Sequence, residues 1–297
     1  MIKARPEVEA MTPYVAPLEG RRDLLRLDFN ESTVGPSPAV VDAIRRLPPD
    51  AYSTYPEYAG LNEAYASSIN VPASDVEAFN GVDAAIRAIF DAYGERGSVF
   101  LTTTPTFGYY APCAQQQGMV IDEIPYPKDL SFPLEALARR LEARPRLCFI
   151  CNPNNPTGTL LAPQRIVALA RSAPDTLVVV DELYVAFTGQ TVLPAALELP
   201  NVVALQSLSK AAGIAALRLG FAIGHPSIVE RLRRVTGPYD INMFAVTAGK
   251  AALADPDHVR RYVDAVLTAK TWTIEQLDRL GVRHSTGAGN YLLVWPP

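Results

Sequence analysis

Three residue types are scarce in these 297 residues, and each shortage narrows what the chain can do. Only three histidines occur, His225, His258 and His284, and no two share a metal-ligand spacing, so no metal centre is expected. The three cysteines, Cys113, Cys148 and Cys151, are an odd number in a long chain. That argues against a disulfide framework and for a reducing compartment, the cytoplasm. Cys148 and Cys151 have the spacing of a redox pair, but they lie in the apolar run LCFIC. On a strand their thiols would point to opposite faces, so both read as buried structural cysteines.

Lysine is the third shortage: against 22 arginines there are five, Lys3, Lys128, Lys210, Lys250 and Lys270. Chemistry that needs a primary amine therefore has five candidates. Excess positive charge is also missing, because the net charge is −4, which disfavours nucleic acid and anionic membrane as partners. Long apolar runs are absent too. The longest stretch without a charge, 98–121, is broken by Pro105, Gly108 and Pro112, so no membrane span is expected. The opening MIKARPEVEAMTPYVAP lacks the apolar core of a signal peptide.

What is present is an alternation of short apolar runs with longer segments of helical period. The runs at 99–102, 120–124, 147–151, 177–180, 202–205 and 220–223 read as strands, with another at 291–295. Helices are expected over 83–92, 109–117, 134–143, 163–172 and 227–235. Several strands are nearly continuous hydrophobes, as strands covered on both faces are, so the class is α/β with a largely parallel sheet. From 244 to 280 the pattern is mostly helical, divided at Asp255-Pro256. The expected organisation is an N-terminal arm over 1–51, a sheet-centred domain over 52–238 and a smaller body over 239–297.

Five segments carry chemistry. Lys210 follows the 202–205 strand in Gln206-Ser207-Leu208-Ser209-Lys210, and the next basic residue is Arg218, across the apolar stretch AAGIAAL. Desolvation there would lower the amine pKa and suit imine formation, although a lysine opening an exposed loop reads as easily. Asp181 closes LVVVD at the carboxyl end of a strand, where ligand crevices form in parallel sheets; a turn or N-cap role is the alternative. Tyr184 could share its site. Cys151-Asn152-Pro153-Asn154-Asn155-Pro156-Thr157-Gly158 has two Asn-Pro steps that fix a turn and its amide donors. Asn80-Gly81-Val82-Asp83 opens a helix whose first amides could hold a phosphate, unless Asp83 is only an N-cap. Phe107, in Pro105-Thr106-Phe107-Gly108-Tyr109-Tyr110, could stack on a planar ligand or sit in the core. Together these are the parts needed to hold pyridoxal 5′-phosphate, an electron sink whose ring nitrogen needs a carboxylate partner.

On these motifs the chain resembles the fold-type I pyridoxal-phosphate aminotransferases, most closely the histidinol-phosphate aminotransferases, from about Tyr14 to Trp295. The resemblance implies a large domain on a mostly parallel seven-stranded sheet flanked by helices, and a small C-terminal α/β domain. It makes Lys210 of SLSKAAGIAALRLG the Schiff-base lysine and assigns the cofactor phosphate to Arg218, Ser207, Ser209 and the amides around Gly81, Val82 and Asp83. Asp181 would pair with the ring nitrogen, Tyr184 and Asn155 with the phenolic oxygen, and Phe107 would stack on the ring. Tyr55, in YPEY, would reach the phosphate of a neighbouring subunit, which implies a homodimer. Tyr14, Asn30 and Asn290 would face the substrate, and PYDIN, with Tyr239 and Asn242, matches a further family segment.

Two departures qualify this picture. Gln206-Ser207 stands where the family commonly has Arg-Thr, and Ser207 keeps the hydroxyl. Relatives also continue for some tens of residues past GAGNYLLVWPP, through an arginine that grips the substrate carboxylate, so the second domain is expected to be C-terminally shortened. Arg21 and Arg22 could substitute for that arginine, but read here as solvated surface charges. The expected activity is transfer of an amino group between an amino acid or amino phosphate and a 2-oxo acid. The rivals are a threonine-phosphate decarboxylase-like enzyme, or another pyridoxal-phosphate enzyme of specialised metabolism, and a cofactor-binding protein without turnover.

Overall fold

Apolar, β-branched runs too short for helices dictate the centre of the molecule. The structure, a computed structural model, describes residues 2–296. Seven strands form one sheet: β1 (Val76–Asn80), β2 (Val99–Thr104), β3 (Val120–Pro125), β4 (Leu147–Cys151), β5 (Leu177–Asp181), β6 (Val202–Ser207) and β7 (Leu219–Gly224). Their order is β1-β7-β6-β5-β4-β2-β3, and all pairings are parallel except those of β7 with β1 and β6. The register sets Cys151 beside Asp181 and Asp181 beside Leu205, so β4 and β5 end level with one another and β6 runs two residues further. The loops leaving those three ends must therefore share one rim.

Both faces of the sheet are covered, which is why its central strands are apolar throughout. Cys148, Ile150, Val178, Val180 and Phe221 pack against helices Ala59–Ser68, Leu134–Leu141, Pro163–Ser172 and Met243–Leu253. Phe149, Cys151, Val179, Leu205 and Ala222 pack on the other side, against helices Val82–Tyr93, Tyr110–Gln116 and Pro226–Val235. Cys148 and Cys151 thus lie on opposite faces, buried and unpaired, as their spacing on a strand predicts. Each large apolar side chain buried here contributes roughly 1.5–3 kcal/mol against solvent exposure.

Helices start where the chain supplies a cap or a first-turn proline. Pro163, Pro226 and Pro256 occupy first turns, the His225 ring accepts from the Ser227 N–H, and Asn242 Oδ1 accepts from the Ala245 N–H. Asn242 is therefore occupied as a helix cap. The region 239–296 holds helices Met243–Leu253 and Pro256–Arg279 and a two-stranded antiparallel sheet of β8 (Arg283–Ser285) and β9 (Leu293–Trp295). The strand expected over 291–295 begins only at Leu293, because Tyr291 turns away to donate its hydroxyl to the Asn154 carbonyl at 2.6 Å. The N-terminal segment wraps the other elements, and its helix Pro38–Arg45 packs on Met243–Leu253. No helix among the described residues is long and apolar enough to cross a membrane.

Candidate active site

The shared rim of β4, β5 and β6 carries the first residues of the site. Asp181, the last residue of β5, is buried, and its carboxylate accepts from the Tyr110 hydroxyl at 2.6 Å and from the Leu183 N–H at 3.1 Å. Burial pushes its pKa up to about 6 from 3.8, although both hydrogen bonds and the Lys210 charge pull the other way. Two of the roughly four lone-pair positions of the carboxylate are used, which leaves acceptor capacity for a cation.

Lys210 stands three residues beyond β6. Its Nζ donates to the main-chain oxygen of Phe29 at 2.6 Å. Burial lowers its pKa, and so does Arg218, while Glu31, Asp83 and Asp181 act to raise it. One amine thus feels charged groups from the N-terminal segment, the helix after Gly81, the end of β5 and the loop before β7. Tyr184, three residues after Asp181, is buried, and its hydroxyl accepts from Asn30 Nδ2 at 3.0 Å and Asn155 Nδ2 at 3.4 Å. Asn152 and Asn154 do not reach the site. Their side chains hold the loop together through Leu161, Thr106, Pro105 and Thr157.

A second rim lies between β1 and the helix Val82–Tyr93. Gly81 joins them with φ +79°, and a Cβ there would fall 2.5 Å from Arg218 Nη2, so the backbone and the space both demand glycine. Val82 and Asp83 occupy the first turn, where amide N–H groups have no partner inside the helix. Arg218 Nη2 meets Asp83 Oδ2 at 2.9 Å, and the hydroxyls of Ser207 and Ser209 lie 2.8 Å apart. Phe107 is half-buried, edge-on to Tyr110 at 5.5 Å, and so reaches Asp181 through that tyrosine.

The substrate-side candidates divide. Asn290 Nδ2 donates to the Asn30 oxygen at 3.0 Å, while its buried Oδ1 has no partner. Tyr291 lies edge-on to Tyr184 at 4.9 Å. Tyr14 is 54% exposed and pairs with Tyr109 at 6.0 Å, beside Gly108. Tyr55 is not drawn into this cluster; it stacks on Tyr239 at 4.1 Å with both rings largely exposed. Arg21 corrects an expectation. Its side chain is 13% exposed and holds Asp28 and Glu31 on its fork, because two carboxylates and the Phe29 ring compensate its removal from water. Arg22 is exposed. Tyr110 is the notable residue that motif reading missed. It opens the helix that follows the Phe107 turn, and the two rings meet edge-on.

Residues 22–296 match the family described as Aminotransferase class I and II. The chain belongs to that family. As a class I and II aminotransferase it is 35% identical over 309 residues to the histidinol-phosphate aminotransferase of Symbiobacterium thermophilum, covering 99% of this chain and 84% of the relative. It is 33% identical over 303 residues to the one from an Anaeromyxobacter species, covering 97% and 83%. A dihydroxyacetone phosphate transaminase of Campylobacter jejuni is 30% identical, covering 97% and 80%. The fold matches that of a Sinorhizobium meliloti histidinol-phosphate aminotransferase in complex with pyridoxal-5′-phosphate, with a TM-score of 0.91 at 24% identity over 99% of this chain and 82% of that one.

The donor set of this aminotransferase fits pyridoxal 5′-phosphate on its own terms. A buried carboxylate short of a cation suits a ring nitrogen, an amine with a lowered pKa suits an aldehyde, and a glycine-lined helix start beside an arginine suits a phosphate. The orphaned Asn290 Oδ1 leaves one further buried acceptor in need of a donor.

Proposed function

We propose that this chain is a pyridoxal-phosphate-dependent aminotransferase that moves an amino group between a small phosphorylated amine, of the histidinol-phosphate kind, and a 2-oxo acid. The observation that carries the reading is the Lys210 amine, which donates to the Phe29 carbonyl at 2.6 Å and feels the charges of Asp181, Arg218 and Asp83. In this reading Lys210 would hold the cofactor carbonyl until the substrate amine takes its place and frees it, Asp181 would keep the ring nitrogen protonated, and Tyr184 with Asn155 would fix the phenolic oxygen. Phe107 would cover the ring, and the amides at Gly81, Val82 and Asp83, with Ser207, Ser209 and Arg218, would hold the phosphate. The bound cofactor supplies an electron sink for a carbanion at the amino-bearing carbon.

The chain's own work is proton transfer and positioning. Lys210 Nζ takes the proton from the amino-bearing carbon and returns it elsewhere, a role that needs an amine neutral near the working pH. Burial shifts the amine in that direction. Tyr110 steadies Asp181, and Asn30 steadies Tyr184. Tyr14, Asn30 and Asn290 face the amine substrate. The phosphorylated substrate class is supported by the names of the relatives, which share a phosphate-bearing substrate. Tyr55, exposed beside Tyr239, serves the site of a second copy in a homodimer.

The test is reconstitution with the cofactor followed by a panel of amino donors read by visible absorbance. Wild type is expected to develop a visible band that changes with a phosphorylated amine and regenerates with a 2-oxo acid, and Lys210→Ala is expected to lose both. Release of carbon dioxide without a keto product, or retention of the band by the alanine variant, would overturn the assignment.

A further inference from the structure

The loop that meets Lys210 is unusual in its charge. Asp28 and Glu31 bracket Phe29 and Asn30, so two carboxylates flank the one carbonyl to which the amine donates. Yet neither carboxylate is its hydrogen-bond partner. Both are turned onto Arg21: Nε donates to Asp28 Oδ2 at 2.8 Å, and Nη2 donates to Asp28 Oδ1 at 2.6 Å and to Glu31 Oε2 at 3.0 Å. The guanidinium carbon also sits 3.9 Å over the centre of the Phe29 ring. One side chain thus grips three of the four residues of the loop, and the fourth, Asn30, is held in a left-handed conformation at φ +52° with its amide on Tyr184.

We propose that Arg21 is a positioning residue, which sequesters Asp28 and Glu31 so that a neutral main-chain carbonyl, and no carboxylate, meets the Lys210 amine. A carboxylate swung onto that amine would hold it as an ammonium ion and block its use as nucleophile and base. Arginine suits the task better than lysine, since its planar fork spans two carboxylates while its face stacks on a ring. The groups that act on Lys210 come from four elements: Glu31, Arg218, Asp83 and Asp181. Of these Glu31 belongs to the loop that Arg21 grips. Arg26 also approaches Glu31, at 3.6 Å, but it is 46% exposed and makes a single contact, so solvent screens it.

The inference rests on Lys210 being the reactive amine, as proposed above, but its test needs no cofactor. The full chain is treated with an amine-directed acylating reagent across a pH range, and modification of Lys210 is followed by peptide mass spectrometry beside thermal melts of each variant. Arg21→Met is expected to raise the midpoint of the profile by roughly one pH unit, a roughly tenfold slower reaction below the midpoint. Adding Asp28→Asn and Glu31→Gln together to Arg21→Met is expected to bring the midpoint back, and Arg21→Lys to give a smaller rise in the same direction. A midpoint unmoved in both folded Arg21 variants, or one that stays raised when both carboxylates are neutralised, would overturn the proposal. Failure of wild type to take up the cofactor would instead overturn the aminotransferase reading while these profiles stood.

Discussion

At Asp181 the burial that suits the carboxylate to a cation makes it costly without one. Its pKa stands at about 6 against 3.8 for an ordinary aspartate, so between those pH values the folded chain holds a proton that the unfolded chain has lost. Stability therefore falls as pH rises from about 4 to 6 and stays lowered above, by an amount on the order of 3 kcal/mol. Asp181→Asn keeps an acceptor for the Leu183 N–H, and the Tyr110 hydroxyl can rotate to accept from the new amide. The cofactor-free variant is expected to melt several degrees above wild type at pH 7, with the advantage shrinking toward pH 4, while cofactor binding suffers. Melts at stepped pH check this, and a lower melting temperature at pH 7 would contradict it. At this scale the sequence was readable near the ends of apolar runs, where Asp181 closes β5 and Lys210 stands three residues beyond β6. Tyr110 and Arg21 escaped for a shared reason. What they do depends on partners that folding turns toward them: Asp181 lies 71 residues from Tyr110, and Asp28 and Glu31 meet Arg21 across a segment with no helix or strand to announce the contact.

Among the elements, the helix Val82–Tyr93 depends most on a single joint. Gly81→Ala would force a left-handed φ on a residue with a Cβ and would drive that carbon against Arg218. The expected cost is about 1–3 kcal/mol of stability, from backbone strain and displacement of the arginine. Cofactor affinity is expected to fall at least about tenfold, a loss of roughly 1.4 kcal/mol of binding. Denaturant melts and absorbance titration measure the two effects separately. Most strands legible in advance carry apolar side chains toward both helix layers, and the exposed edge strand β3 was legible through its β-branched Val120, Ile121 and Ile124. β1 was not, because VEAFN holds only two strong strand formers, Val76 and Phe79. Helix Ala59–Ser68 escaped too, since small and polar residues dominate AGLNEAYASS and leave little apolar period to find. Its burial is fixed by Tyr65, which stacks on Phe221 at 3.6 Å and donates to Gln206 at 2.6 Å. Gln206 in turn donates to buried Glu182 at 2.8 Å, so the departure from the family's Arg-Thr puts a neutral amide against a carboxylate whose pKa burial raises.

For the whole molecule, the exposed rings of Tyr52, Tyr55 and Tyr239 and the exposed side chains of Leu24, Leu25 and Leu27 accord with a surface covered by a second copy. Sedimentation is expected to give a dimer. Mixing Lys210→Ala with Tyr55→Ala under subunit exchange is expected to restore about a quarter of the sites, because only the mixed dimer pairs an intact lysine with an intact tyrosine from its neighbour. No recovery, from dimers that do exchange, would place Tyr55 outside the partner's site. Within one subunit, the hydrogen bond from Asn290 to Asn30 joins residues 260 positions apart, and Tyr291 donates to the carbonyl of Asn154. A closure over so many residues costs more loop entropy than the local contacts within helices and turns. The seven-stranded sheet is complete at Gly224, yet Asn30, whose amide reaches Tyr184, is tied down only from residue 290, so an ordered sheet by itself leaves that tie unmade.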